Sequence, residues 1–253
     1  RGEGMLWLWA NGEDNITFSG EGAIDGNGVA FMGKDLEDSY ELKPLKDSKF
    51  DPRPHLLTLF GCRNIDISGV TIQNGAYWTV HLVGCDGAKI HDMSLLNQLK
   101  IRNGDGIDLD HTRNVQIWNC HIESGDDCIC LKNRREYSPG YKEAFTYLNG
   151  KGIVMRSQQC RDMQVRNCVM TGRSCTIKIG SENMDCICNV VFEDCKITAS
   201  NRGLGIHNRD EGTVTNVVFK NIDLECRLFS DVWWGKAEPV YVTSYPRAVG
   251  DHK

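Results

Sequence analysis

The sequence predicts an all-β fold, a single-stranded right-handed parallel β-helix wound as a solenoid of coils of about 25 residues. Three observations lead there. A turn residue followed by alternating apolar positions recurs at near-regular spacing, no segment carries a helical apolar stripe, and the cysteines fall at equivalent places in the repeat.

The repeat begins at Asn15, Asn64, Ala88, Asn114, Met163, Asn189 and Asn216, with spacings of 49, 24, 26, 49, 26 and 27. Each 49 marks a missed coil or an insertion. Within each repeat Val, Ile and Phe alternate with polar residues, the pattern of a strand with one buried face. A sandwich or propeller also uses short strands, but propeller blades repeat at about 40 residues or more, and leucine-rich repeats need a strict Leu framework. Three short strands per turn fit the observed period. The chain reads as one β-helix domain over residues 1–253, whose native terminal segments need not all be present.

Cys120, Cys168 and Cys195 share one slot of the repeat, and Cys62, Cys85, Cys160 and Cys188 sit just before the marker strand. Equivalent residues on stacked coils form columns about 4.8 Å apart, so these thiols are expected to be buried ladder residues. Cys128-Ile-Cys130 and Cys186-Ile-Cys188 lack the two-residue spacer of zinc pairs, and no metal or cofactor is expected. Many free thiols lean weakly towards a cytoplasmic, reducing location over a secreted one.

The 253 residues are 40% hydrophobic and 25% charged, a globular composition. A net charge of −5 argues against a nucleic-acid partner. No apolar run reaches the roughly 18 residues of a membrane span. The chain opens at Arg1 without Met or a leader, so it reads as processed or excerpted. Oligomeric state is not legible. Two insertions interrupt the repeat: a charged one from Asp35 to Pro54, and a basic, aromatic one from Lys132 to Lys151. Long loops on a repeat scaffold often carry function.

The phase of the repeat brings carboxylates together. Gly104 to Leu109 lies over Asp126 to Leu131 with an offset of 22, about one coil, so Asp105 and Asp127 share a rim with Asp126 beside them. An isolated Asp in a Gly-rich turn usually forms the turn; three in phase point to chemistry. Stacked like charges raise at least one pKa. Glycoside cleavage needs such a set, with one carboxylic acid to protonate the leaving oxygen and a carboxylate to activate water or attack the sugar. Carrying the phase forward places Cys175 to Ser181 and Arg202 to His207 over the same strand, making Lys178, Arg202 and His207 candidates to line one groove.

Asn103-Gly-Asp105-Gly-Ile-Asp108 and Ser124-Gly-Asp126-Asp127-Cys128 resemble the first two motifs of glycoside hydrolase family 28, the polygalacturonases and their relatives. Gly20 to Gly28 and Arg53-Pro54 also resemble it, over nearly the whole chain, in the manner of a divergent bacterial-type member. The resemblance implies a β-helix that hydrolyses a pectin-type polysaccharide or its oligosaccharides with inversion. Asp126 would be the general acid, and Asp105 with Asp127 would activate water. Inversion implies carboxyl groups about 6.5–9.5 Å apart.

The later motifs depart: Cys175 stands at the family's His, and Gly205-Ile206-His207 at its Arg-Ile-Lys. The charge that holds a uronate would then come from Arg202, Arg209, Lys178 or the Lys132–Arg135 stretch, or the sugar is not a simple uronate. Trp78 and His81 look like the family's Trp-x-x-His segment facing the groove, against a core role for each. Trp233 resembles a segment whose ring could stack on sugar. Two rivals remain: a calcium-dependent β-helix lyase that reads the aspartates as a metal site, and a non-catalytic carbohydrate-binding β-helix.

Overall fold

The computed structural model describes residues 5–42, 53–138 and 152–246. Its strands stack in parallel as three faces of one helical coil. The first face is an eight-stranded sheet running Leu6–Asn11, His55–Phe60, Val80–Val83, Ile107–Asp110, Ile129–Asn133, Cys175–Asn183, Arg202–Asn208 and Glu238–Thr243. The second includes Arg63–Ser68, Asp86–His91, Arg113–Trp118 and Cys160–Arg166; the third includes Thr71–Gln73, Ser94–Leu96, His121–Ser124 and Val169–Gly172. In the later coils, Cys186–Ser200 and Thr213–Cys226 run through both of these faces and join them into one sheet. A hairpin of Met32–Asp35 with Tyr40–Leu42 is antiparallel.

The marker residues explain the turns. Asn64, Asn114, Asn189 and Asn216 have φ of 56°, 58°, 57° and 50°, left-handed backbone that Asn tolerates better than most residues. Their amides also bridge coils: Asn64 donates to Asn15 at 2.6 Å, and Asn216 to Asn189 at 2.9 Å. Between these corners, Leu57, Val80, Ile107, Ile129 and Ile177 form an inward column, paired in that order and almost fully buried. Each such side chain contributes about 1.5–3 kcal/mol by leaving water.

Leu8 pairs directly with Leu57, and Ile129 with Ile177. Each spacing of 49 is therefore an insertion into one coil and not a missed coil. Half of the first insertion, residues 43–52, and most of the second, residues 139–151, lie outside the described residues. The pairings beside Cys120, Cys168 and Cys195 put these thiols in one column as expected, and all twelve cysteines are free. Cys188 needs correcting. It pairs with Arg161, while Ile187 pairs with Cys160, so the column of Cys62, Cys85 and Cys160 continues into Ile187.

Candidate active site

The site forms where two consecutive coils turn onto the first face. Ile107 pairs with Ile129, so Asp105 and Asp127 occupy the same rank on neighbouring coils, with the offset of 22 seen in the sequence. Gly106 N–H donates to the Asp127 carbonyl at 2.9 Å and Ile107 N–H to the Cys128 carbonyl at 2.8 Å. The glycines of both motifs permit this approach. A Cβ on Gly106 would stand 2.5 Å from the Cys128 carbonyl oxygen, and one on Gly125 would overlap the Ile101 carbonyl oxygen. Ser124, fully buried, lies 2.8 Å from both the Gly104 and Asp127 carbonyls and accepts the Asp126 N–H.

Oxygens of Asp105, Asp126 and Asp127 lie within 4.8 Å of one another, and all three side chains are buried. That is closer than the 6.5–9.5 Å range expected for an inverting pair, so separation alone does not carry the stereochemistry. Each carboxyl has a different environment. Asp126 accepts the Asn103 N–H at 3.1 Å; burial and then the neighbouring Asp127 push its pKa up to about 7. Burial also raises Asp105, reinforced by Asp108 and Asp126, to well above the usual carboxylate range, and its buried Oδ1 has no hydrogen-bond partner among the described residues. Burial opposes ionisation of Asp127 too, but Lys178 at 2.7 Å and the Cys175 N–H at 3.1 Å outweigh it and hold the pKa below the ordinary value. One carboxylate is thus kept ionised beside two that favour the proton, and the three titrate as a set. A trio so spaced could also ligate a cation, although Lys178 already neutralises one member.

Further residues hold this geometry, of which Arg53 is marked in the sequence only within the family-like Arg53-Pro54 pair. Arg53 donates to the Arg102 carbonyl at 2.6 Å and the Ala76 carbonyl at 3.3 Å, with Asn103 Oδ1 at 3.5 Å. It thereby steadies the turn whose N–H reaches Asp126. The buried Asn97 amide donates to Thr79 at 2.6 Å and lies 3.2 and 3.3 Å from the Gly104 and Asp105 carbonyls. Its only sequence signal is its place just after a short strand. Ser138, His111 and Asp110 form a chain of hydrogen bonds at 3.2 and 2.8 Å. Its form suggests a nucleophile, but His111 is fully buried and the Ser138 hydroxyl donates to the Arg134 carbonyl at 3.1 Å. It pins the start of the second insertion.

The expected binding residues divide. Register places Cys175 beside Arg202 and Lys178 beside Gly205, as the repeat phase required. Lys178 is one-fifth exposed at the aspartates. Half-buried His207 has its ring nitrogen 3.5 Å from Arg202, and burial, then Lys178 and Arg202, lower its pKa to about 4. It is therefore neutral at ordinary pH. Arg202 lies over the Tyr241 ring and pairs with Glu238 at 3.0 Å, and half-buried Arg209 is near enough to depress His207 further.

Five others need correcting. Trp78 and His81 are buried in an aromatic stack with His55 and Tyr77, which removes their faces from a sugar. Lys132 lies 3.6 Å over Trp78 and pairs with Asp108 at 2.8 Å, and Arg134 pairs with Glu136 and Glu182. Both cations are buried and neutralise acids of the wall. Trp233 is 3% exposed, whereas its neighbour Trp234 is 51% exposed; the ring open to solvent is the next one along.

Comparison with known proteins agrees with this architecture. The model of "Glycosyl hydrolases family 28" matches residues 2–227. A probable polygalacturonase of Vitis vinifera is 32% identical over 202 residues, covering 79% of this chain and 36% of its own length. Polygalacturonase-2 of Solanum lycopersicum is 24% identical over 223 residues, covering 87% and 42%. The chain thus spans well under two-thirds of these relatives. Since they are plant proteins, they lend no support to the bacterial-type character expected from sequence. Among solved structures, the family 28 exopolygalacturonase of Yersinia enterocolitica superposes with a TM-score of 0.65 at 19% identity, covering 93% of this chain and 43% of that one. The polygalacturonase of Erwinia carotovora gives 0.59 at 20%, covering 96% and 72%. From residue 2 to 227, through the coils that carry all three aspartates, the chain belongs to glycosyl hydrolases family 28.

Proposed function

We propose that this domain hydrolyses O-glycosidic bonds of a pectin-type polysaccharide or its oligosaccharides. The observation that carries the reading is the division of three buried carboxyls into one held ionised and two favouring the proton. Carboxyl groups driven apart in pKa are how one site runs acid and base chemistry together. Asp126, near pH 7, is protonated in mildly acid solution and gives its proton to the glycosidic oxygen as the C–O bond breaks. Water held between the unpartnered Asp105 Oδ1 and Asp127 adds its oxygen to the anomeric carbon and passes its proton to this carboxyl pair. The net change is addition of one water, and the cluster returns to its starting protonation by proton exchange with solvent.

Inversion is taken from the family resemblance. The anomeric signals of the first-formed product, followed by NMR, test it: appearance of the retained anomer first refutes this route. The substrate class rests on the polygalacturonase relatives and on Arg202 and Arg209, cations that suit a uronate. His207, neutral where the family pattern has a cation, favours a modified or mixed pectic sugar over plain polygalacturonate. Reducing-end release from polygalacturonate, rhamnogalacturonan and neutral glycosides decides among them. Absence of release from every pectic polymer overturns the reading.

A further inference from the structure

We propose that Lys178 is a positioning residue for this reaction, a clamp that fixes Asp127 as the ionised member of the cluster and leaves the proton on Asp126. The inference rests on the hydrolase reading and assigns the division of labour within it. Lys178 comes from the coil after the aspartates, on the outward side of Cys175–Asn183, with Cys130 and Gly205 as its register neighbours. Both neighbours are small. A Cβ on Gly205 would stand 2.6 Å from Cys175 Sγ and 2.7 Å from His207 Nε2, so a side chain there would have to displace them.

The Lys178 ammonium meets Asp127 Oδ2 at 2.7 Å, with the acid only 1% exposed. Asp127 faces Asp126 and Asp105 from its own and the preceding coil, with Asp108 beyond them, and the thiols of Cys128 and Cys175. His207 stands across the next coil. Of the other buried cations, Lys132 is engaged 2.8 Å from Asp108 and reaches Asp105 only at 3.9 Å. Among the described residues, Lys178 is therefore the cation in ion-pair contact with Asp127. A buried carboxylate that loses its sole ion-pair partner takes up a proton. Without the clamp, Asp127 would compete with Asp126 for the proton and the site would lose its base.

The test is Lys178→Met with Lys178→Gln as a second, hydrogen-bonding variant, each checked for folding by circular dichroism. The acid limb of the pH profile of kcat/KM should move up by about one to three pH units, with kcat falling more than KM rises. Lys178→Arg should restore the wild-type limb. An unmoved limb with a raised KM alone would make Lys178 a substrate contact and overturn the clamp. Carbon-13 NMR of aspartate carboxyls, with Asp127→Asn to assign the signal, reads the same shift without any substrate. If the wild type hydrolyses nothing, the hydrolase reading fails while the NMR titration still judges the clamp: an Asp127 signal that titrates identically in Lys178→Met and wild type refutes it.

Discussion

Replacing Asp126 by Asn should destroy activity and make the protein more stable at neutral pH. The amide keeps the shape and can still accept the Asn103 N–H through its oxygen. It removes the burden of ionising a carboxyl beside Asp127. The sign follows from linkage: an acid whose folded pKa lies above its unfolded value costs no stability below pH 4, then destabilises progressively as pH rises towards the folded pKa. A rise from 3.8 to about 7 corresponds to about 4 kcal/mol at about 1.36 kcal/mol per pH unit, an upper bound because Asp105 and Asp127 share the proton. For a chain of this size that is up to about 8–16 °C in melting temperature. Melting curves for both proteins at pH 4 and pH 7.5 should show little difference at the lower pH and a clear advantage for the variant at the higher. Activity should fall by about 10²–10⁴-fold. Equal stability at both pH values, or retained hydrolysis, would refute both the buried, strained acid and its catalytic role.

Other perturbations probe the supporting structure. Gly125→Ala should displace the Asp126 turn, since its Cβ overlaps the Ile101 carbonyl oxygen; steady-state kinetics should show kcat lowered well beyond any loss of thermal stability. Asn97→Leu removes the amide donor to the Thr79 hydroxyl and the acceptor of the Gly75 N–H, for a loss of about 1–3 kcal/mol in denaturant unfolding. A chelator should leave hydrolysis unchanged, with no ultraviolet-absorbing unsaturated product; calcium dependence together with that product would establish a lyase instead.

The fold was legible because a β-helix repeats its physics every coil. Asn64, Asn114, Asn189 and Asn216 mark left-handed corners, and the Val/Ile alternation after each marks an inward column. The aspartates were legible for the same reason, since an offset of 22 is also their pairing register. Side-chain direction at the bends was not. Trp78 and His81 follow a motif that suggested a groove, yet their coil packs the two rings edge to face, with Lys132 over Trp78. Trp233 and Trp234 differ only by one residue of phase, which a local sequence pattern does not resolve. Asn97 reaches Thr79 of the preceding coil, and Arg53, seen in the sequence only as half of a family-like Arg-Pro pair, acts on carbonyls of later coils; such partners leave no pattern around the donor.

The site also falls on a particular coil. Successive inward residues are 23 apart from Leu57 to Val80, 27 from Val80 to Ile107, 22 from Ile107 to Ile129, and 27 from Ile177 to Leu204. The shortest coil is the one between Asp105 and Asp127. Its economy has a structural cause: the Gly104 and Gly125 turns pack directly, with Gly125 N–H on the Gly104 carbonyl at 3.2 Å. A longer connection there would need room that the Ile101 carbonyl already occupies. Close packing of the turns holds the acids near one another, and burial beside like charge separates their pKa values. The cation that resolves the competition enters from the next coil through Lys178. The family motifs locate the acids, but the register of the following coil identifies their counter-charge.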